Sequence, residues 1–336
     1  MTIDRRNFLK KLAGTTAGVA CATTTGVAHA RPNKKMPEEA LGLLFDGTLC
    51  IGCRACMPAC KESNNMPAEL TPLKVNGEDV NALWDAPLDI SGNTLNVIKA
   101  YRNGTAEHKD QAVDGFAFTK QSCFHCADPS CVSACPVSAM IKDPVNGIVS
   151  YSVDACIGCR YCVAACPFGV PRFTYDTPKP KISKCELCRH RHAEGKYSAC
   201  AEVCPTGATL YGKVKDLKAE IARRKALAPG TTTTFPRGRL GDNDTYVGQV
   251  GKYVEHVYGE NEIGGTQVLH LSGVPFDLLD KPALPDQAPA ATSETIQHGV
   301  YYGLLAPATF LGILVAAARR NMRPAEEPKK PEGGTP

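Results

Sequence analysis

Cys156-Ile157-Gly158-Cys159-Arg160-Tyr161-Cys162-Val163-Ala164-Ala165-Cys166-Pro167 is the stretch that decides how this 336-residue chain folds. Its cysteines follow the spacing C-x2-C-x2-C-x3-C, with a proline behind the last. The same spacing stands at 50–60 as Cys50, Cys53, Cys56 and Cys60, followed by Lys61 instead of proline. Two variants complete the pattern. Cys123, Cys126, Cys131 and Cys135 (123–135) form C-x2-C-x4-C-x3-C-P, and Cys185, Cys188, Cys200 and Cys204 (185–204) form C-x2-C-x11-C-x3-C-P. This is an internal repeat, and the repeated unit is a set of thiols.

The chemistry follows from the spacing. A cubane iron-sulfur cluster needs thiolates from tetrahedral directions, and a loop with cysteine at every third position curls so that three sulfurs reach three irons. The fourth ligand comes from elsewhere: in the C-x2-C-x2-C-x3-C-P run of bacterial ferredoxins the last cysteine serves the other cluster of a pair. Pro136, Pro167 and Pro205 fix the turn after that cysteine. Zinc ribbons use two C-x2-C pairs and have no use for the additional closely spaced thiols, although the 185–204 set with its long gap is the most zinc-like. Disulfides between cysteines this close would be strained. A 3Fe-4S centre would lack a ligand, and no set lacks one. The expectation is four 4Fe-4S clusters.

Composition agrees. Seventeen cysteines, about 5% of the residues, exceed incidental core use in a chain of this size. Hydrophobic residues make up 43% and charged residues 21%, which excludes a disordered tail, a collagen repeat and a polytopic membrane protein. The formal charge of +4 falls to near +1 without the first thirty residues, so no nucleic-acid surface is expected.

Both ends carry address information. Arg5-Arg6 with Phe8-Leu9-Lys10, a weakly apolar stretch from Leu12 to Val27, and Ala28-His29-Ala30 together look like a twin-arginine signal peptide over 1–30, with Asp4 where that family usually has Ser or Thr. The competing reading is a mitochondrial-type leader or a short core helix. Cleavage removes Cys21 and leaves sixteen cysteines, four sets of four. At the other end, 299–318 has no charged side chain, and at about 1.5 Å per residue it spans roughly 30 Å, the thickness of a bilayer core. Arg319, Arg320 and Arg323 fit a cytoplasmic tail at 319–336. Export of a folded, cluster-loaded protein protects thiolates from an oxidising compartment, so leader and cofactor explain one another.

Between the sets, Gly115–Gln121 and Gly147–Ser152 read as short strands, and Pro129–Cys135 as a short helix. Residues 31–228 form the expected ferredoxin-like domain, whose 61–115 insertion is expected to pack over the first cluster or contact a partner. Val214–Leu227 has helical apolar spacing and is stopped by Pro229-Gly230. Residues 229–298 read as an irregular wrap and linker.

Arg54, Arg160, Lys181, Lys184 and Arg189 neighbour the cysteines and can tune cluster potential; the alternative is solvated surface charge. His125 reads as a packing or hydrogen-bonding side chain, His190 and His192 as surface residues, and Tyr161 and Phe168 as shields against water. No nucleophile with a paired base, no dinucleotide fingerprint and no phosphate loop is present. No catalytic residue is expected.

With the ligands placed, Asp46-Gly47-Thr48-Leu49-Cys50-Ile51-Gly52-Cys53, Cys131-Val132-Ser133-Ala134-Cys135-Pro136-Val137-Ser138-Ala139, Lys184-Cys185-Glu186-Leu187-Cys188 and Gly264-Gly265-Thr266-Gln267-Val268-Leu269 carry a resemblance. The chain resembles the four-cluster ferredoxin-type subunits of membrane-bound periplasmic oxidoreductases, most closely those of nickel-iron hydrogenase-2, over nearly its whole length. The resemblance implies an α+β fold of two interleaved bacterial-ferredoxin-like double-cluster modules with irregular insertions and one C-terminal transmembrane helix. It also implies the ligand sets: Cys50, Cys53, Cys56 with Cys204; Cys60 with Cys185, Cys188, Cys200; Cys123, Cys126, Cys131 with Cys166; and Cys135 with Cys156, Cys159, Cys162. Local spacing alone equally permits the first set to pair with the second.

The implied role is non-catalytic. Electrons from hydrogen oxidation reach the chain from the hydrogenase small and large subunits and leave toward an integral membrane quinone-reactive subunit, at the periplasmic face of the inner membrane. The alternatives are the equivalent subunit of a molybdopterin enzyme such as formate dehydrogenase, and a membrane-tethered ferredoxin without fixed partner.

Overall fold

The structure, a computed structural model, describes residues 30–67, 74–75, 78–79, 87, 89–175, 177–178 and 180–321. The expected leader lies outside these residues except for Ala30, as does the tail beyond Asn321. The described residues divide into a compact body, Pro32–Ala291, and a second unit holding Arg31 and the chain from Thr292 onward.

The strands in chain order are β1 (Leu41–Asp46), β2 (Lys74–Val75), β3 (Glu78–Asp79), β4 (Val97–Arg102), β5 (His108–Lys109), β6 (Gly115–Gln121), β7 (Met140–Lys142), β8 (Val149–Tyr151), β9 (Arg172–Phe173), β10 (Ile182–Ser183), β11 (Thr209–Lys213), β12 (Thr232–Pro236), β13 (Thr245–Gln249) and β14 (Val268–Leu271). The helices are α1 (Cys56–Ser63), α2 (Ser130–Ser133), α3 (Tyr161–Ala165), α4 (Ala199–Glu202), α5 (Val214–Ala226) and α6 (Pro289–Asn321). Helix and sheet are mixed, and apart from α5 and α6 the elements are of eight residues or fewer.

β1 is the centre of the body. It pairs antiparallel with β11 and parallel with β14, so it is flanked on both edges. Its sequence Leu-Gly-Leu-Leu-Phe-Asp is almost uninterrupted in apolar character because both faces are buried. Successive side chains of a strand point to opposite faces. Leu44 joins Leu210, Leu217, Ile221 and Leu269 in the main apolar core, while Leu43 and Phe45 turn the other way and line two cysteine-walled cavities.

α5 covers the Leu44 face. Val214, Leu217 and Ile221 recur at helical spacing and are buried. Asp216 in its first turn and Arg223, Arg224 and Lys225 in its last complement the helix dipole. The helix ends at Ala226, with Leu227 extended ahead of Pro229-Gly230.

An ion-pair network ties α5 to the end of β1. Arg224 and Asp46 are both fully buried, with Arg224 Nη1 2.9 Å from Asp46 Oδ2 and Nε 2.8 Å from Glu220 Oε1. Tyr253 Oη donates to Asp46 Oδ2 at 2.8 Å, and the Arg224 guanidinium lies over the Phe235 ring. Burial raises the Glu220 pKa, but hydrogen bonds and charge from Arg223 and Arg224 outweigh it and hold the carboxyl below its usual value. The other Asp46 oxygen accepts from the Thr48 amide at 3.0 Å, and the Asp46 carbonyl accepts from Cys50 N at 3.1 Å. The first cysteine loop therefore hangs from a buried carboxylate.

The remaining strands hold the other cysteine loops. β6 lies between β4 and β5 in a second three-stranded sheet, and β7 with β8 and β9 with β10 form short hairpin-like pairs. A second apolar cluster of Met140, Val149, Phe173 and Ile182 contains Cys131 and Cys162. The short helices pair across the repeat: α1 packs on α4, and α2 on α3.

Segment 229–298 is more regular than its Gly- and Pro-rich composition led us to expect. β12 pairs with β13 in full register, and β14 completes the central sheet. The Thr232-Thr233-Thr234 run is polar yet β-branched, so it favours strand while looking like loop. In the described part of the 61–115 insertion, Asn96 Nδ2 donates to the Cys56 carbonyl at 2.8 Å, and Lys61 Nζ donates to the Asn93 carbonyl at 2.6 Å.

α6 begins at Pro289, at the end of the body and earlier than the expected span at 299–318, and runs through Arg319-Arg320. Its Pro289–Arg320 portion is long and apolar enough to cross a membrane by length and composition. The Thr309 hydroxyl donates to the Leu305 carbonyl at 2.6 Å beside Pro307. Arg31 braces the helix start through Glu294, 2.7 Å away, and Thr295.

Removing one member of a buried pair leaves the other charge uncompensated, at a cost of about 3–5 kcal/mol. Arg224→Ala is expected to lower stability by that amount in chemical denaturation; a loss below about 1 kcal/mol, the scale of an exposed pair, would contradict this account.

Candidate functional site

Each C-x-x-C opens with the same backbone device. The third residue has a positive φ in all four sets: Gly52 at 68°, His125 at 49°, Gly158 at 71° and Leu187 at 50°. A left-handed residue there reverses the chain so that both thiols of the pair face inward. Cys50-Ile51-Gly52-Cys53-Arg54 and Cys156-Ile157-Gly158-Cys159-Arg160 repeat both sequence and conformation, with Arg54 at 60° and Arg160 at 65°.

The proline position accounts for the helices that follow. A residue before proline is pushed out of the helical region, and Cys166 before Pro167 is extended at ψ 112°. α2, α3 and α4 accordingly stop short of Cys135, Cys166 and Cys204. With Lys61 in place of proline, α1 continues to Ser63 and carries Cys60 inside it.

In the turn after each Cys-Pro a backbone amide donates to the cysteine sulfur. Ala139 N lies 3.2 Å from Cys135 Sγ, Val170 N 3.5 Å from Cys166 Sγ, and Thr209 N 3.4 Å from Cys204 Sγ. Leu187 N donates to Cys185 Sγ at 3.4 Å, and Asn64 Nδ2 to Cys60 Sγ at 3.7 Å. Such donors favour the thiolate.

The structure brings the cysteines into four groups. Cys50, Cys53, Cys56 and Cys204 line one cavity, and Cys60, Cys185, Cys188 and Cys200 line a second. Burial raises the Cys126 and Cys162 thiols, and nearby charge adds to it, from Cys131, Cys166 and Cys123 at the first and from Cys156, Cys159 and Cys135 at the second, which groups the remaining cysteines. Neighbouring groups lie within electrostatic reach of one another in a row: Cys56 senses Cys200, Cys185 senses Cys123, and Cys131 senses Cys162. We call the groups cages one to four in that order. Cys53 of cage one and Cys159 of cage four are the exposed cysteines, so the row opens at both ends.

Burial dominates the electrostatics. It raises the thiols of Cys50, Cys60 and Cys131 to about 12 and those of Cys56 and Cys162 to about 11, with neighbouring cysteines adding to the effect. Such thiols keep their protons at neutral pH unless positive charge at the centre of the cage stabilises four ionised sulfurs. None of the sixteen described cysteines is in a disulfide. Among the described residues no three His, Cys, Asp or Glu side chains converge to hold a single metal ion. The thiols stand instead around gaps walled by Leu43, Phe45, Leu95 and Ile98. An all-thiol donor set, apolar walls and amides aimed at sulfur fit a multi-iron cluster in which each iron takes one thiolate.

Of the charged residues singled out from sequence, Arg54 lines cage one, while Arg160 is exposed over the Tyr175 ring, Lys181 is exposed, and Arg189 pairs with Glu186 at the surface. Lys184 is buried; its Nζ donates to the carbonyls of Val149 and Cys185. His125 accepts from Val149 N at 3.0 Å and is buried, which pushes its pKa well down. His190 is exposed, whereas His192 is half-buried against Tyr211. Phe168 is buried and stacked on Phe124 at 4.2 Å, whereas Tyr161, expected as a shield, is 60% exposed.

Sequence reasoning missed the lysines held inside the body. Lys120 is buried on the face of β6 that also carries Phe118. Lys142 donates to Cys126 O, Gly147 O and Gln267 Oε1, and burial lowers its pKa to about 8. Lys281 donates to Lys120 O and Gln121 Oε1, and burial lowers it to about 7. The period-two reading of β6 does put Lys120 beside Phe118, but nothing in the strand tells which face is dry.

A Cβ at Gly158 would meet open space, so Gly158→Ala is expected to cost roughly 1–2 kcal/mol from left-handed backbone alone. At Gly52 a Cβ would sit 2.4 Å from the Phe118 ring, so Gly52→Ala loses more. Thermal midpoints of the two variants check this; equal losses would contradict it.

Two matches to the 4Fe-4S dicluster domain family cover residues 49–139 and 115–214. The chain is 43% identical over 326 residues to the hydrogenase-2 operon protein HybA of Escherichia coli O157:H7, covering 96% of each. It is 32% identical over 287 residues to the nitrate-inducible formate dehydrogenase iron-sulfur subunit of Escherichia coli K12, covering 81% of this chain and 82% of that one. A formate dehydrogenase iron-sulfur subunit of Haemophilus influenzae is 33% identical over 221 residues, 64% of this chain. With cysteine cages and sequence in agreement, the chain belongs to the ferredoxin-type 4Fe-4S family that contains the hydrogenase-2 operon protein HybA and the iron-sulfur subunits of formate dehydrogenases.

Proposed function

We propose that this chain is the electron-transfer subunit of a hydrogenase-2-type complex, holding four 4Fe-4S clusters in cages one to four. The observation that carries the reading is the row of cysteine groups, each all-thiol and each adjacent to the next, with exposed cysteines at its two ends. Such clusters supply one-electron storage. The chain's own residues do the rest. Sixteen cysteines hold, the amides of Ala139, Val170, Leu187 and Thr209 donate to sulfur, and Leu43, Phe45 and Ile98 keep water out. We read the α1–α4 and α2–α3 pairings as two interleaved double-cluster modules.

The higher identity to HybA and its greater coverage favour a hydrogenase over a formate dehydrogenase partner. In this proposal residues 1–30 are a twin-arginine leader, Pro289–Arg320 is a single membrane anchor, and the body stands on the periplasmic side beside the hydrogenase small and large subunits and a quinone-reactive membrane subunit. The long apolar helix and its Arg319-Arg320 flank support the anchor.

Anaerobic purification through this chain tests the partner. The expected result is a nickel-containing assembly whose iron-sulfur centres are reduced by hydrogen. Molybdenum with formate-driven reduction supports the formate dehydrogenase alternative instead, and absence of any stable complex supports a tethered ferredoxin.

A further inference from the structure

Lys120 is 1% exposed, and its Nζ has one hydrogen bond, to Thr209 Oγ1 at 3.3 Å. No carboxylate pairs with it among the described residues. A buried ammonium is costly unless negative charge faces it. Lys281 and His270 lie nearby, but neither supplies negative charge: Lys281 donates to the Lys120 carbonyl, and burial favours neutral His270. The groups whose negative charge acts on the ammonium are thiols of two different cages: Cys200 and Cys60 of cage two, Cys56 and Cys204 of cage one.

Geometry places the side chain between them. Lys120 itself lines the cavity of cage two. Its partner Thr209 lines the cavity of cage one, where the Thr209 amide donates to Cys204 Sγ at 3.4 Å. One cation thus reaches both cages through a single side chain and a single threonine. Lys184 and Lys142 differ from Lys120, because two carbonyls, of Val149 and Cys185, hold the first ammonium and three oxygen acceptors hold the second. In cage four, the influences on Cys162 are burial, the thiols of Cys156, Cys159 and Cys135, and a backbone amide, with no lysine among them.

We propose that Lys120 is a shared positioning charge that raises the reduction potentials of the clusters in cages one and two together. The proposal rests on the four-cluster reading. Adding an electron to a cluster increases its negative charge, and a fixed cation in a dry site offsets that charge where water cannot. The cation acts on two adjacent centres at once, so it makes an added electron more favourable at both.

The test is an EPR-monitored redox titration of the intact chain carrying Lys120→Met, with iron content measured alongside. Two of the four signals are expected to move to lower potential by at least a tenfold change in the oxidised-to-reduced ratio, about 59 mV for a one-electron couple. The other two signals are expected to move less, and Lys120→Arg restores the pair. Lys120→Gln replaces Lys120→Met if the methionine variant fails to take up iron. Unmoved potentials with full iron, or equal shifts in all four signals, overturn the role of Lys120. An unmodified chain with fewer than four clusters overturns the underlying reading instead.

Discussion

Desolvated negative charge is the constraint on which this structure depends. Sixteen thiols are gathered into four cages, several raised to about 11 or 12 by burial, and a cage of ionised sulfurs without positive charge at its centre would push itself apart. The rest of the body answers that constraint. Left-handed residues turn each C-x-x-C inward, amides after the Cys-Pro turns donate to sulfur, and lysines are kept inside where a water-filled interior would not need them.

β1 shows how closely the apolar core and the cages are joined. Leu44 belongs to the core under α5, while Leu43 and Phe45 on the opposite face form walls of cages two and one. The same strand ends at Asp46, whose buried contacts with Arg224 and Tyr253 hold it in place as the first cysteine loop departs. Packing and cluster cages are thus mutually supporting, and neither is an independent module laid beside the other.

Much of this was legible from sequence because the decisive signals are local. Cysteine spacing, the strand at Gly115–Gln121 and the helix from Val214 depend on neighbours within a few residues. The joining of first set to fourth and second to third followed from resemblance, and α1 on α4 with α2 on α3 is the corresponding packing. What sequence hid was tertiary. A lysine in a strand looks the same whether it meets water or a thiol, so Lys120 and Lys281 carried no mark, and Tyr161 beside its cysteine carried a misleading one. The hairpin of β12 and β13 was hidden by polar threonines, which suit a strand but imitate a loop.

The measurement that bears most directly on this account is iron and acid-labile sulfide per chain after anaerobic isolation. The account predicts about sixteen of each, four in every cage. Zinc in their place, or thiols recovered as disulfides, would contradict it.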